Sequence, residues 1–176
     1  MSTSIAPTPG IQPVGHRPVP VVVAGILDRG ARAEAALKAF LERWSIAALR
    51  VSLGAVFVAF GVLKFFPGVS PMDELVQSTW AALSFGLVTG YAALVVTAVM
   101  ETAAGLLLIS GKFARAGLVV LALCFVGILS PVVLFPAELV TETGPSLTGQ
   151  YIAKNVVLIA AALVIASKAL RGRTAR

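Results

Sequence analysis

Polar residues punctuate this chain at long intervals, and the stretches between them are almost wholly apolar. Four stretches are long enough to cross a bilayer. They cover about 45–66 (SIAALRVSLGAVFVAFGVLKFF), 89–110 (TGYAALVVTAVMETAAGLLLIS), 116–135 (AGLVVLALCFVGILSPVVLF) and 151–167 (YIAKNVVLIAAALVIAS). A helix needs roughly 20 mostly apolar residues to span a hydrocarbon core of about 30 Å. An unpaired backbone N–H is costly there, so each stretch is expected to be helical. The pattern predicts an all-α protein, a four-transmembrane-helix bundle over 45–170.

Outside these stretches the pattern changes. Over 21–44 the spacing predicts an amphipathic interfacial helix, with Leu37, Phe40, Leu41 and Trp44 on one face and the Glu34–Lys38 pair elsewhere. A solvated helix is the alternative. Residues 1–20 hold five prolines and no cationic start, so a disordered tail is expected there and not a secretory signal. A short basic tail is expected over 171–176. After Pro67, Gly68 and Pro71, the segment MDELVQSTWAALSF predicts a further helix, with Asp73 and Glu74 where the helix dipole favours anions. Its Leu75, Trp80 and Leu83 are expected to rest on the membrane surface.

A short internal repeat also stands out. Phe66-Pro67 precedes Glu74-Leu75-Val76, and Phe135-Pro136 precedes Glu138-Leu139-Val140. This suggests two helical hairpins related by a parallel repeat. Chance similarity between apolar segments is the competing explanation.

Composition fits the membrane reading. The 176 residues are 58% hydrophobic and 12% charged, against about a quarter charged in soluble domains. Too little polar surface exists to cover a water-facing globule. Lys and Arg alternate by loop. Arg17, Arg29, Arg32, Lys38 and Arg43 precede the first span, Lys112 and Arg115 lie between the second and third, and Lys168, Arg171, Arg173 and Arg176 follow the fourth. The other two loops carry only Asp73, Glu74, Glu138 and Glu142. This predicts a plasma-membrane protein with both termini cytoplasmic. The net charge of +6 is then a topology signal with some attraction to anionic lipid, and no nucleic-acid partner is implied. Trp44, Phe65, Phe66, Tyr91, Phe135 and Tyr151 fall at span ends, where aromatic rings favour the headgroup level.

Small residues mark the packing faces. Arg50, Gly54, Phe57, Gly61 and Lys64 share one face of the first span, and Gly117, Val120, Cys124, Gly127 and Pro131 share one of the third. Pro131 removes a backbone bond to the Gly127 carbonyl and predicts a kink.

Charges inside spans are the main chemical clue, because ionised groups in a membrane are costly. Counted from the span ends, Arg50 and Glu101 differ in depth by roughly 6 Å, so an intramembrane ion pair between them is expected. It would fix helix register or serve a proton relay or headgroup site. Lys64 and Lys154 lie near the outer boundary with Asn155, Tyr91 and Tyr151. Together these make a candidate outer polar site for an anion or a quinone carbonyl, with lysines snorkelling to headgroups as the alternative.

Several chemistries lack their residues. His16 is the only histidine and Cys124 the only cysteine, so no metal or haem set and no internal disulfide is expected. No phosphate loop or nucleophile–base pair is visible, so catalytic residues are unknown. No cofactor is expected to be bound by in-chain ligands, and any redox role requires a diffusible quinone or a partner subunit.

The segments LRVSLGAVFVAFGVLKFFPG, ETAAGLLLISGKFARAGLVVLAL and KNVVLIAAALVIA resemble, in order, the first helix, second motif and last helix of the DoxX-like family of small four-helix membrane proteins. The resemblance covers about 47–166. It implies a bundle linked to quinone-dependent or thiol-related redox assemblies, often as a partner subunit. It also implies that Arg50, Lys64, Glu101, Lys154 and Asn155 occupy the family's recurrent polar positions.

Three classes of function follow. The leading one is an auxiliary or anchoring subunit of a quinone- or thiol-linked redox system, with the bilayer, a redox partner protein and a homo-oligomer as partners. It predicts an apolar slot open to lipid near Lys64 and Lys154. The second is a small-molecule or proton-linked carrier, which predicts a polar cavity reaching Glu101. The third is a structural or assembly protein, which predicts neither.

Overall fold

The computed structural model describes residues 21–171. The expected N-terminal tail over 1–20, with His16, lies outside the described residues, as do residues 172–176 of the basic tail. The elements run α1 (Val21–Leu63), α2 (Asp73–Leu83), α3 (Gly90–Ser110), α4 (Ala114–Leu129), α5 (Pro131–Leu134), α6 (Pro136–Leu139), β1 (Val140–Thr141), β2 (Gly144–Pro145), α7 (Leu147–Ala153) and α8 (Asn155–Arg171). Four helical stretches are long and apolar enough to cross a membrane: Asp28–Leu63, Gly90–Ser110, Ala114–Leu134 and Leu147–Leu170. Each overlaps one of the four expected spans, the first continuing the helix of the segment before Ser45, and the all-α four-helix architecture stands.

The chain divides into two units at Leu41 and Glu42. In the first, Asp28 and Arg32 form an i,i+4 ion pair, and Leu37, Phe40 and Leu41 are exposed. The second holds the bundle. Its centre is a cluster of Leu53, Phe57, Leu108, Leu121, Phe125 and Ile165, drawn from α1, α3, α4 and α8. The Phe57 and Phe125 rings meet edge to face at 5.6 Å, the orientation that ring quadrupoles favour. Large apolar side chains such as Val99, Leu106, Val119 and Leu163 point outward. Lipid tails accept that surface, where water would not.

Glycines set the closest approach. A Cβ on Gly54 would lie 2.7 Å from the Gly105 carbonyl oxygen, and one on Gly105 would lie 2.8 Å from the Val58 nitrogen. One on Gly61 would lie 2.8 Å from the Thr102 nitrogen. These are backbone atoms with no rotamer to give, so α1 and α3 touch main chain to main chain. Gly117 packs tightly on Leu108 in the same way, whereas a Cβ on Gly127 would meet nothing within 4 Å. Cys124 and Pro131 on the same stripe are buried, so the expected contact stripe of the third span is interrupted at Gly127.

Breaks between elements have local causes. Pro131 cannot bond the Gly127 carbonyl, and the Ser130 hydroxyl takes that oxygen instead at 2.8 Å. The helix divides at that point, between α4 and α5. Ser146 caps α7 by accepting the Gly149 N–H at 3.0 Å. At the junction of α7 and α8, the Asn155 amide donates to the Tyr151 carbonyl at 2.9 Å. The two halves of the suggested repeat differ in their connections. The first carries the 11-residue α2, and the second a four-residue helix and a two-residue hairpin pairing Val140 with Pro145 and Thr141 with Gly144.

Candidate functional site

The expected partner of Glu101 is not the one it has. Its Oε2 accepts from the Lys64 ammonium at 2.7 Å, and both residues are 4% exposed. Arg50 lies elsewhere, with its guanidinium against the Gly111 turn that ends α3 and its Nε buried without a partner. The expected Arg50–Glu101 ion pair is therefore corrected to Lys64–Glu101. The cause is register. Depth counted from hydropathy boundaries assumes that both spans begin at matching levels. The glycine contacts instead set Gly61 against Glu101 and Thr102, and Gly54 against Gly105 and Ile109. That slides Lys64 down to Glu101 and leaves Arg50 beside Gly111, roughly 15 Å along α3 from Glu101.

A buried pair is stable only when both charges are satisfied, because each is costly to remove from water. Lys64 also points at the Phe60 carbonyl at 3.4 Å, the end of a helix that favours a cation.

The pair stands in the wall of a cavity of about 640 Å³, enclosed by α1, α2, α3, the α4–α5 region and the α7–α8 junction. Most lining side chains are apolar, and ligand pockets of this size are common. Asn155 lines it and is 4% exposed. Tyr151 and Lys154 line it too, with the Lys154 ammonium 3.8 Å from the centre of the Tyr151 ring and 5.6 Å from that of Phe60. Leu123, Val126 and Val157 also line the cavity and are each more than half exposed. The space is thus continuous with the outer apolar surface between α4 and α8.

Four of the five residues expected at the outer polar site, Lys64, Lys154, Asn155 and Tyr151, share this cavity. Tyr91 does not line it. It is half exposed and donates its hydroxyl to the Phe65 carbonyl at 3.0 Å. Lys64 is neutralised by Glu101, whereas Lys154 is exposed, lies on aromatic faces and has no carboxylate partner among the described residues.

The α2 helix contributes what the sequence did not announce. Leu75, Thr79, Trp80 and Leu83 line the cavity, so the face expected on the membrane surface is turned into the bundle. The Trp80 indole donates to the Thr97 hydroxyl at 2.7 Å, tying α2 to α3. Thr79 is buried with its hydroxyl unpartnered. The period of α2 was visible, but a helical apolar stripe looks the same whether it meets lipid or protein. Among the described residues no group of His, Cys, Asp and Glu is placed to hold a metal ion.

A family model described as DoxX matches residues 45–135, more than half of the chain, covering the first three spans with Arg50, Lys64 and Glu101. Lys154 and Asn155 lie beyond it. No curated protein and no solved structure matches the chain.

Proposed function

The chain belongs to the DoxX family of membrane proteins, and on that footing we propose that it is a ligand-binding membrane subunit of a quinone- or thiol-linked redox system. The ligand is a quinone-type amphiphile, with its apolar body in the cavity and its head at the Lys64–Glu101 pair. Electrons come from, or pass to, a partner protein, because no resident redox centre is proposed for this chain. The orientation has both termini in the cytoplasm of a plasma-membrane protein, with the cavity in the outer half of the bilayer.

The observation that supports this reading is the cavity itself: apolar, continuous with the surface between α4 and α8, and ending on a buried ion pair and an amide. A flat lipid-soluble molecule moving laterally in the bilayer suits that shape. The carrier reading draws on the same Glu101, but it requires a polar path, and most of the lining is apolar. A purely structural bundle has no use for a void of this size, which forfeits packing contacts.

Gly127 provides the test. It lines the cavity, and a Cβ there would meet nothing within 4 Å. Gly127→Phe should fill the space without disturbing the bundle. Wild-type protein purified in mild detergent should carry extractable isoprenoid quinone, and Gly127→Phe should carry several-fold less at equal folding. Absence of quinone from both, or equal amounts in both, overturns the proposal.

A further inference from the structure

The polar atoms of the cavity separate into those already used and those left over. The Lys64 ammonium is directed at Glu101 Oε2 and the Phe60 carbonyl. The Trp80 indole N–H is spent on Thr97, whose hydroxyl donates to the Ala93 carbonyl at 2.9 Å. The Asn155 amide nitrogen is spent on the Tyr151 carbonyl. That bond also fixes which way the amide points, since a flip would set two acceptors against each other.

Without a hydrogen bond among the described residues remain the Thr79 and Tyr151 hydroxyls, the Lys154 ammonium, which lies over the Tyr151 and Phe60 rings, and two oxygens of buried residues, Glu101 Oε1 and Asn155 Oδ1. The two oxygens are acceptors only. Neither is among the fully enclosed unpartnered atoms, and both residues line the cavity while being 4% exposed overall. The accessible part of each oxygen therefore faces the cavity. The Tyr151 hydroxyl can donate or accept, so it adapts to either kind of ligand, while the Thr79 hydroxyl oxygen is fully enclosed. A carboxylate oxygen facing a low-dielectric space is the group with most to gain from a donor.

We propose that Glu101 Oε1 and Asn155 Oδ1 are the specificity-determining acceptors of this cavity, selecting amphiphiles whose head carries a hydroxyl donor. A phenol or hydroquinone head satisfies them. A carbonyl-only quinone or an ether head sets oxygen against oxygen. The inference rests on the reading that the cavity holds a quinone-type amphiphile, and adds which form of that head it prefers.

The test uses the full chain in nanodiscs, with empty nanodiscs subtracted. The probes are a tritiated 4-alkylphenol, its methyl ether and the benzoquinone with the same alkyl chain, compared by equilibrium binding. The phenol should bind at least tenfold more tightly than the ether or the quinone. Asn155→Leu, of similar volume, should narrow that gap by several-fold, mainly through weaker phenol binding. Gly127→Phe should weaken all three probes. If the probes bind in a Gly127→Phe-sensitive manner but phenol and ether are equal, the selectivity is wrong and the ligand-binding reading survives. If no probe binds, the ligand-binding reading fails and takes this inference with it. The wild-type comparison of phenol with ether decides the matter alone should Asn155→Leu not fold.

Discussion

At the scale of single residues, the charge pair buried between α1 and α3 dominates. Removing one partner strands the other in a site from which water is largely excluded. Lys64→Met or Glu101→Gln alone should destabilise the bundle by about 3–5 kcal/mol. Lys64→Met combined with Glu101→Leu should recover most of that loss, because apolar replacement removes both desolvation penalties together. Unfolding by denaturing detergent in mixed micelles, followed by circular dichroism, provides the check. A double mutant as unstable as the summed singles would separate the two residues energetically. Arg50 and Glu101 form the control. Their substitutions should add to within about 0.5 kcal/mol, as expected of side chains that do not touch. Lys154 is a smaller matter. Its ammonium lies over Tyr151, and Lys154→Met should cost about 0.5–1 kcal/mol.

At the scale of elements, the glycines on α1 and α3 decide how near the helices come, and that distance decides which charges meet. Gly105→Leu drives a side chain into the Gly54 carbonyl and the Val58 backbone. The helices must separate, and overpacking of this kind costs about 1–3 kcal/mol or more. It should also pull Lys64 from Glu101, so the loss of monodisperse protein on size exclusion should be severe. Gly127→Leu changes the same residue type in a span yet meets open space, and should give normal yield. Equal behaviour of the two variants would contradict the close approach of α1 and α3. The α2 helix teaches a related lesson. Its apolar stripe was legible, but its Trp80–Thr97 bond and its place over the cavity depend on α3.

At the scale of the whole molecule, the alternation of basic and acidic loops gives the expected topology. Reporter fusions after Ser78 and Gly144 should read the outer side, and fusions after Lys112 and Arg173 the cytoplasm. The structure puts Ser78 in α2, in the connection between α1 and α3, and Gly144 in β2, in the connection between α5 and α8, with the α3–α4 turn at the other end of α3. A cytoplasmic signal at Gly144 would therefore overturn the orientation.

Hydropathy and loop charge are properties of consecutive residues. They determined the four spans, while the missing N–H of Pro131 and the helical spacing of Gly54 and Gly61 marked the break in the third span and the glycine face of α1 before any contact was known. The residues of the cavity could be collected by depth as well, since Lys64, Lys154, Asn155 and Tyr151 all lie near one boundary. The choice of Lys64 over Arg50 as the partner of Glu101 was not available in this way. It depends on how far α1 slides along α3, and backbone contacts at Gly54, Gly61 and Gly105 set that slide. A shift of one helical turn moves a charge by about 5 Å while leaving every hydropathy window almost unchanged. The cavity is also a product of assembly. It exists where Gly127 leaves space, where the chain breaks around Lys154 and where α2 folds back over α3, and no single stretch of sequence contains all three.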